Sequence, residues 1–118
     1  MILHKSIYDP AEPAGDGHRL LVTRLWPRGI RRTAVDSWDR RLGGPVELIR
    51  RKKEGKLSKT ELRKVYLASL DRDAVDDAAA LAREGTITLL CTCRDDLCHR
   101  VVLAGVLERR TKRSARKE

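Results

Sequence analysis

The sequence predicts an α/β domain: a small, largely parallel sheet flanked by helices in one compact unit. Three observations carry that prediction. Arg19–Trp26 and Thr86–Cys91 are runs with apolar middles, as expected of strands covered on both faces. The long stretch between them carries apolar residues at helical spacing instead. Strands separated by crossover helices favour parallel pairing, and 118 residues suit one core.

Ile2 to Tyr8 reads as a short first strand, closed by Asp9-Pro10. The loop to His18 holds Pro13, Gly15 and Gly17, which make it a poor candidate for regular structure. Pro27 ends the Arg19–Trp26 strand, so Pro27-Arg28-Gly29 is a turn or loop. Val35 to Leu42 is expected to be one short helix, broken by Gly43-Gly44-Pro45. Val46 to Lys53 follows as a helix with Val46, Ile49 and Leu48 inward, and Gly55 ends it. Ser58-Lys59-Thr60-Glu61 has capping-box spacing, and Leu62, Val65, Tyr66 and Leu70 continue the apolar stripe. A second helix is expected from Ala74 to Glu84, then the Thr86–Cys91 strand. A last amphipathic helix begins near Cys98. Residues 1–108 form the expected domain and 109–118 a basic, flexible tail.

The net charge of +9, with a pI near 10.0, attracts polyanions such as nucleic acid and nucleotides. Basic residues concentrate at Arg50-Arg51-Lys52-Lys53, with Lys56, Lys59, Arg63 and Lys64 beyond, and in the tail from Arg109. A solvated helix face and a frayed terminus explain the same runs without a ligand. No apolar run reaches the roughly 20 residues of a bilayer span, and the N-terminus lacks secretory-signal features. A cytoplasmic location without membrane attachment is expected. All 3 Cys fall within Cys91–Cys98, a pattern that points to metal or thiol chemistry rather than a disulfide framework.

Cys91, Cys93, Cys98, His99 and Arg100 mark the expected site, where a buried strand meets the last helix. Cys91 reads as a small core residue at the strand end. Cys98 and His99 start the helix, whose free N–H groups favour a thiolate, and Arg100 strengthens that effect. Three chemistries stay open. Cys91, Cys93, Cys98 and His99 are zinc-ligand types, but their spacing is not the paired-knuckle pattern. Adjacent residues at a helix start also diverge by about 100°. No metal ligand is therefore assigned. A thiolate nucleophile is the second reading, with Cys98 or Cys93 as the thiol and His99 as proton carrier. It is weakened by Asp95 and Asp96, which would repel a phosphate. The third is an anion pocket in which Arg24, Arg28 and Arg100 clamp phosphate or carboxylate, with Trp26 as stacking surface or wall. Ligands of parallel sheets collect at the carboxyl ends of strands. If the two main strands are neighbours, the loops after them face each other.

Val22-Thr23-Arg24-Leu25-Trp26-Pro27-Arg28-Gly29-Ile30 resembles the "DRxWPRG" segment of the bacterial and archaeal family known as domain of unknown function 488. Ile87-Thr88-Leu89-Leu90-Cys91 followed by Cys98-His99-Arg100-Val101-Val102-Leu103 resembles that family's strand, "CHR" and helix. Tyr66 fits its middle helix. The resemblance implies a compact α/β fold in an intracellular, prokaryotic setting, and it assigns no activity or cofactor. Thr23 stands where the family pattern has Asp, Gly43-Gly44-Pro45 replaces a commoner Ala-Pro-Ser, and the usual Phe of the middle helix is missing. Any activity resting on that Asp would be absent here.

Two functional readings follow. The cleft between the loops binds a phosphorylated or nucleotide-like small molecule, with thiol or acid–base chemistry available. Alternatively, the basic runs bind nucleic acid without sequence readout, around a structural Cys cluster. A small interaction domain without turnover is the plain alternative to both.

Overall fold

The computed structural model describes residues 1–117, with side chains described as far as residue 112. Four strands, β1 (Ile2–Ser6), β2 (His18–Leu21), β3 (Ser37–Trp38) and β4 (Ile87–Cys91), form one sheet. Its order is β1-β4-β2-β3, and every pairing is parallel. The helices are α1 (Pro13–Asp16), α2 (Val46–Lys53), α3 (Lys59–Ser69), α4 (Arg72–Glu84) and α5 (His99–Lys117). The α/β class and the parallel sheet expected from the sequence are both present.

Strand β4 lies between β1 and β2, and all five of its residues are buried. Its Ile-Thr-Leu-Leu-Cys sequence suits that position, since a central parallel strand has no solvent face. Alternation sends Leu89 and Cys91 to one face of the sheet and Leu90 to the other. On the first face Leu20, Leu89 and Cys91 share a large core with Leu48, Leu62, Tyr66, Ala78, Cys98 and Leu103, drawn from α2 to α5 and the residue before α5. On the second face Ile7, Leu21 and Leu90 are covered by Trp26, Ile30, Val35 and Trp38. Layers of unlike kind therefore cover the sheet. Helices pack on one side, and a folded loop stapled by two tryptophans packs on the other.

Four local expectations are corrected. Val35–Leu42 is not one helix: Ser37–Trp38 is an edge strand pairing with Leu20 and Leu21, and Arg40–Leu42 is a short 3-10 turn. Asp39 caps that turn by accepting from the Arg41 amide at 3.0 Å, and Asp36 accepts from the Arg19 amide of β2 at 2.8 Å, so both aspartates serve local structure other than a helix. Strand β2 stops at Leu21 rather than Trp26, because the Val22 carbonyl accepts from His99 Nε2 at 2.6 Å. The loop before His18 contains the short α1. In α2 the inward residue is Leu48, while Val46 and Ile49 are 66% and 49% exposed.

Caps elsewhere follow the sequence. Ser58 Oγ accepts from the Glu61 amide at 3.1 Å, although the Glu61 carboxylate turns to Arg51 rather than back to its cap. Gly17, with φ of +62°, brings the chain against β4 so closely that a Cβ would stand 2.1 Å from the Thr86 carbonyl oxygen. Of the basic tail expected over residues 109–118, the backbone through Lys117 continues α5, and Arg110 pairs with Asp76. Glu118 and the side chains from Arg113 onward lie outside the described residues.

Tyr66 ties the helical layer to the Gly-Gly-Pro break. Its hydroxyl donates to the Leu42 carbonyl at 2.7 Å, and the side chain is buried. Tyr66→Phe keeps the ring and orphans that carbonyl, so a loss of about 1–2 kcal/mol is expected. A lower denaturant midpoint at unchanged slope would show it.

Candidate functional site at the ends of β2 and β4

Strands β2 and β4 are parallel neighbours, with Leu21 opposite Leu90, so the segments leaving their carboxyl ends lie side by side. Between them opens a cleft of about 1070 Å³. One wall is Thr23 to Arg28; another is Cys91 to Asp95 with Leu97, Cys98 and His99; α2 supplies Val46, Leu48, Ile49, Lys52 and Lys53. The two segments singled out in the sequence are thus opposite sides of one cavity.

The apolar wall of that cleft includes exposed side chains. Leu25 is 69% exposed, and Val46 and Ile49 face the same opening. Cationic groups Arg24, Arg28, Lys52, Lys53 and Arg94 stand among them. Lys52 closes one end by bonding Asp95 at 2.5 Å and the Leu97 carbonyl at 2.7 Å, which fastens α2 to the Cys-rich loop. Asp95 is thereby neutralised, as Asp96 is by Arg100 at 3.5 Å. The repulsion these two carboxylates would exert on an anion is correspondingly reduced.

The expected site residues divide between cleft and interior. Arg24 and Arg28 line the cleft; Arg24 also donates from Nε to the Gly44 carbonyl at 3.1 Å. Trp26 is a wall rather than a free stacking plate. Its indole N–H donates to the Ile30 carbonyl at 2.8 Å, and Trp38 meets it edge-on at 5.4 Å between centroids. Arg100 does not line the cleft. Only 3% exposed, it donates from Nη1 to the Cys93 carbonyl at 3.2 Å, and its buried Nε has no hydrogen-bond partner among the described residues. Its charge is turned to the thiols.

Cys91, Cys93, Cys98 and His99 come together at the floor. Cys91 Sγ and Cys98 Sγ are 2.7 Å apart, both residues are buried, and the Cys93 amide donates to Cys91 Sγ at 3.3 Å. Cys98 lies just before α5, and its carbonyl accepts from the Val101 amide at 3.1 Å. Because Cys98 is not itself helical, the divergence expected of two helical neighbours does not apply. His99 Nδ1 is 3.7 Å from Cys98 Sγ. The Cys98 thiol is held well below the ordinary thiol range by the hydrogen bond from Cys91, then by Cys93, the Arg100 amide and the Arg100 charge, against the opposing effect of burial. Cys91 is pushed up as the partner that keeps the proton, through its bonds to Cys93 and Cys98 and through burial. Burial also lowers the pKa of His99, favouring the neutral imidazole.

Lys52 and the exposed apolar trio of Leu25, Val46 and Ile49 are parts of the cleft that sequence reasoning missed as site residues. The available signal was three apolar residues in α2, Val46, Leu48 and Ile49, more than its one buried position needs. Among the described residues much of the basic run is engaged within the chain: Arg51 with Glu61 at 2.8 Å, Lys52 with Asp95, and Lys56 with Glu54 at 3.5 Å. No helix among the described residues is long and apolar enough to cross a membrane.

Fold and site together define a parallel α/β domain with a thiol–imidazole cluster at the carboxyl edge of its sheet. The chain belongs to the domain-of-unknown-function-488 family. It matches the family description "Inactive DUF488-N3 subclade" over residues 1–118. It is also 37% identical over 108 residues to "Uncharacterized protein YeaO" of Escherichia coli (strain K12), covering 87% of this chain and 93% of that protein. No solved structure matches it.

Proposed function

We propose that this chain is a small-molecule binding domain whose cleft takes a phosphorylated or nucleotide-like organic anion and does not turn it over. The observation that carries the reading is the cleft itself, with exposed apolar side chains on two of its walls and Arg24 and Arg28 beside Leu25. An inorganic anion has no use for Leu25, Val46 and Ile49. A ligand with a charged end and an apolar or aromatic body uses both halves, burying the body while arginines hold the charge in bidentate fashion. Binding without turnover accords with the word "inactive" in the matched family description. It also accords with Thr23, which stands on the cleft wall where the family pattern carries a carboxylate and bonds its own loop at Leu25 O instead.

The test is a thermal-shift screen of phosphorylated metabolites and nucleotides, followed by titration calorimetry of any hit. Arg28 is exposed, so Arg28→Ala is expected to fold normally and to weaken binding by at least tenfold, about 1.4 kcal/mol. An unchanged affinity in Arg28→Ala, or a screen without hits, would overturn the reading.

A further inference from the structure

We propose that the floor of the cleft is a metal site for a soft divalent cation of the zinc class, held by Cys91, Cys98 and His99 with Cys93 as fourth ligand. Three donor atoms, Cys91 Sγ, Cys98 Sγ and His99 Nδ1, lie within 4.8 Å of one another. They come from the end of β4, the residue before α5 and the first residue of α5, so both ends of the loop hold the cluster. Cys93 lies on the same cleft wall two residues past Cys91, with its amide donating to Cys91 Sγ at 3.3 Å, and would bring its thiol in as the loop closes on the ion. Three thiolates and one imidazole are a common donor set of structural zinc.

The imidazole is oriented for this task. A carbonyl only accepts, so the 2.6 Å contact of Nε2 with the Val22 carbonyl fixes the N–H on Nε2. Nδ1 is then the lone-pair nitrogen, and it faces Cys98 Sγ at 3.7 Å. A cation placed between that lone pair and the sulfur would be shared by both. Metal-bound histidines recurrently carry this same backbone restraint on the far nitrogen. The ring is further held by Tyr66, at 5.2 Å between centroids.

Charge supports the same assignment. A dication with three thiolates leaves a single negative charge, and binding expels whatever protons the thiols still carry. Arg100, buried behind the thiols, and Lys52, anchored on the Leu97 carbonyl, offset part of it while each also pairs with a carboxylate, Asp96 and Asp95 respectively. The 2.7 Å between Cys91 Sγ and Cys98 Sγ is shorter than two tetrahedral thiolates require. With Zn–S bonds of about 2.3 Å those sulfurs stand ~3.8 Å apart, so the loop from Thr92 to Leu97 must give by about 1 Å. It is longer than a disulfide bond, the other end point open to this pair.

The site needs no anion in the cleft, so its test is separate from the ligand screen. The reduced full chain, stripped by chelator, is titrated with Co²⁺ and followed by absorption. One equivalent is expected to give near-ultraviolet thiolate-to-cobalt bands of three-thiolate intensity and visible bands of a tetrahedral ion, both erased by one equivalent of Zn²⁺. Cys93→Ser is expected to lower the near-ultraviolet intensity by about one third, and Cys98→Ser to weaken Co²⁺ binding by at least tenfold, each with an unchanged far-ultraviolet spectrum. Three thiols that stay fully reactive toward a disulfide reagent at saturating Co²⁺ would overturn the proposal. So would a Cys91–Cys98 disulfide that persists under reducing conditions. Full near-ultraviolet intensity in Cys93→Ser would remove Cys93 from the ligand set.

Discussion

Replacing Asp16 with alanine is expected to destabilise the fold by about 3 kcal/mol at neutral pH, the lower end for breaking a buried ion pair. Asp16 closes α1 with its side chain only 3% exposed, and it joins three segments. Its carboxylate pairs with Lys5 Nζ at 2.8 Å and with the Arg19 guanidinium, and it accepts from the Glu12 amide at 3.1 Å. Its main-chain carbonyl accepts from Thr88 Oγ1 on β4 at 2.7 Å. Arg19 is itself buried, and among the described residues its guanidinium otherwise bonds only the Ala34 carbonyl at 2.7 Å, so losing the carboxylate leaves a charge stranded beneath the loop layer. Lys5 is 19% exposed and can recover water, which keeps the cost at that lower end.

The same group sets an acid limit. Burial alone would raise the Asp16 pKa, but Lys5, the Glu12 amide and Arg19 outweigh it and hold the carboxyl below its ordinary value. A carboxyl depressed on folding binds fewer protons in the native state, so its contribution is complete above the unfolded value. It fades as pH falls through the native one. Urea midpoints measured from pH 7 down to pH 3 are expected to fall for the natural chain and to fall less for Asp16→Asn. Parallel curves for the two proteins would show that Asp16 is not the acid-sensitive group.

What could be read from the sequence follows how local each cause is. Strand β4 was legible because five buried residues in a row leave a mark in composition. The Ser58 cap was legible because donor and acceptor are three residues apart. Ser37–Trp38 was hidden: two residues carry no periodicity, and what makes them a strand is the neighbouring Leu20 and Leu21. The Asp16 cluster was equally hidden, since Lys5 and Arg19 meet it only once β1 and β2 flank β4. At the site, the segments themselves were legible and their facing one another followed from parallel neighbours. The division of labour among the arginines was not legible, because Arg24 and Arg28 reach the cleft from a loop while Arg100 points inward from a helix.

A single methyl group separates that loop from a misplaced cleft wall. Gly43→Ala is expected to cost about 3 kcal/mol, near the top of what overpacking does. The backbone at Gly43 is ordinary, with φ of −72°, so no left-handed conformation is at stake. The obstacle is space: a Cβ there would stand 2.5 Å from the Arg24 amide nitrogen and 2.9 Å from the Thr23 carbonyl carbon. Both atoms belong to main chain that Trp38 Nε1 also grips, through the Thr23 carbonyl at 2.7 Å, so neither can swing aside as a side chain would. The Thr23–Arg28 segment must shift outward, carrying Leu25 and Arg28 with it. Gly44→Ala supplies the control one residue away. Its Cβ would meet Leu48 Cδ1 at 3.4 Å and Tyr66 Cδ1 at 3.5 Å, ordinary contacts with side chains, so a change under about 1 kcal/mol is expected. Denaturant midpoints measure the stability of each, and amide exchange of residues 22–30 measures the loop. Faster exchange confined to Gly43→Ala would show that close backbone contact at the Gly-Gly-Pro break, and not the loop's own sequence, holds Arg24 and Arg28 at the cleft.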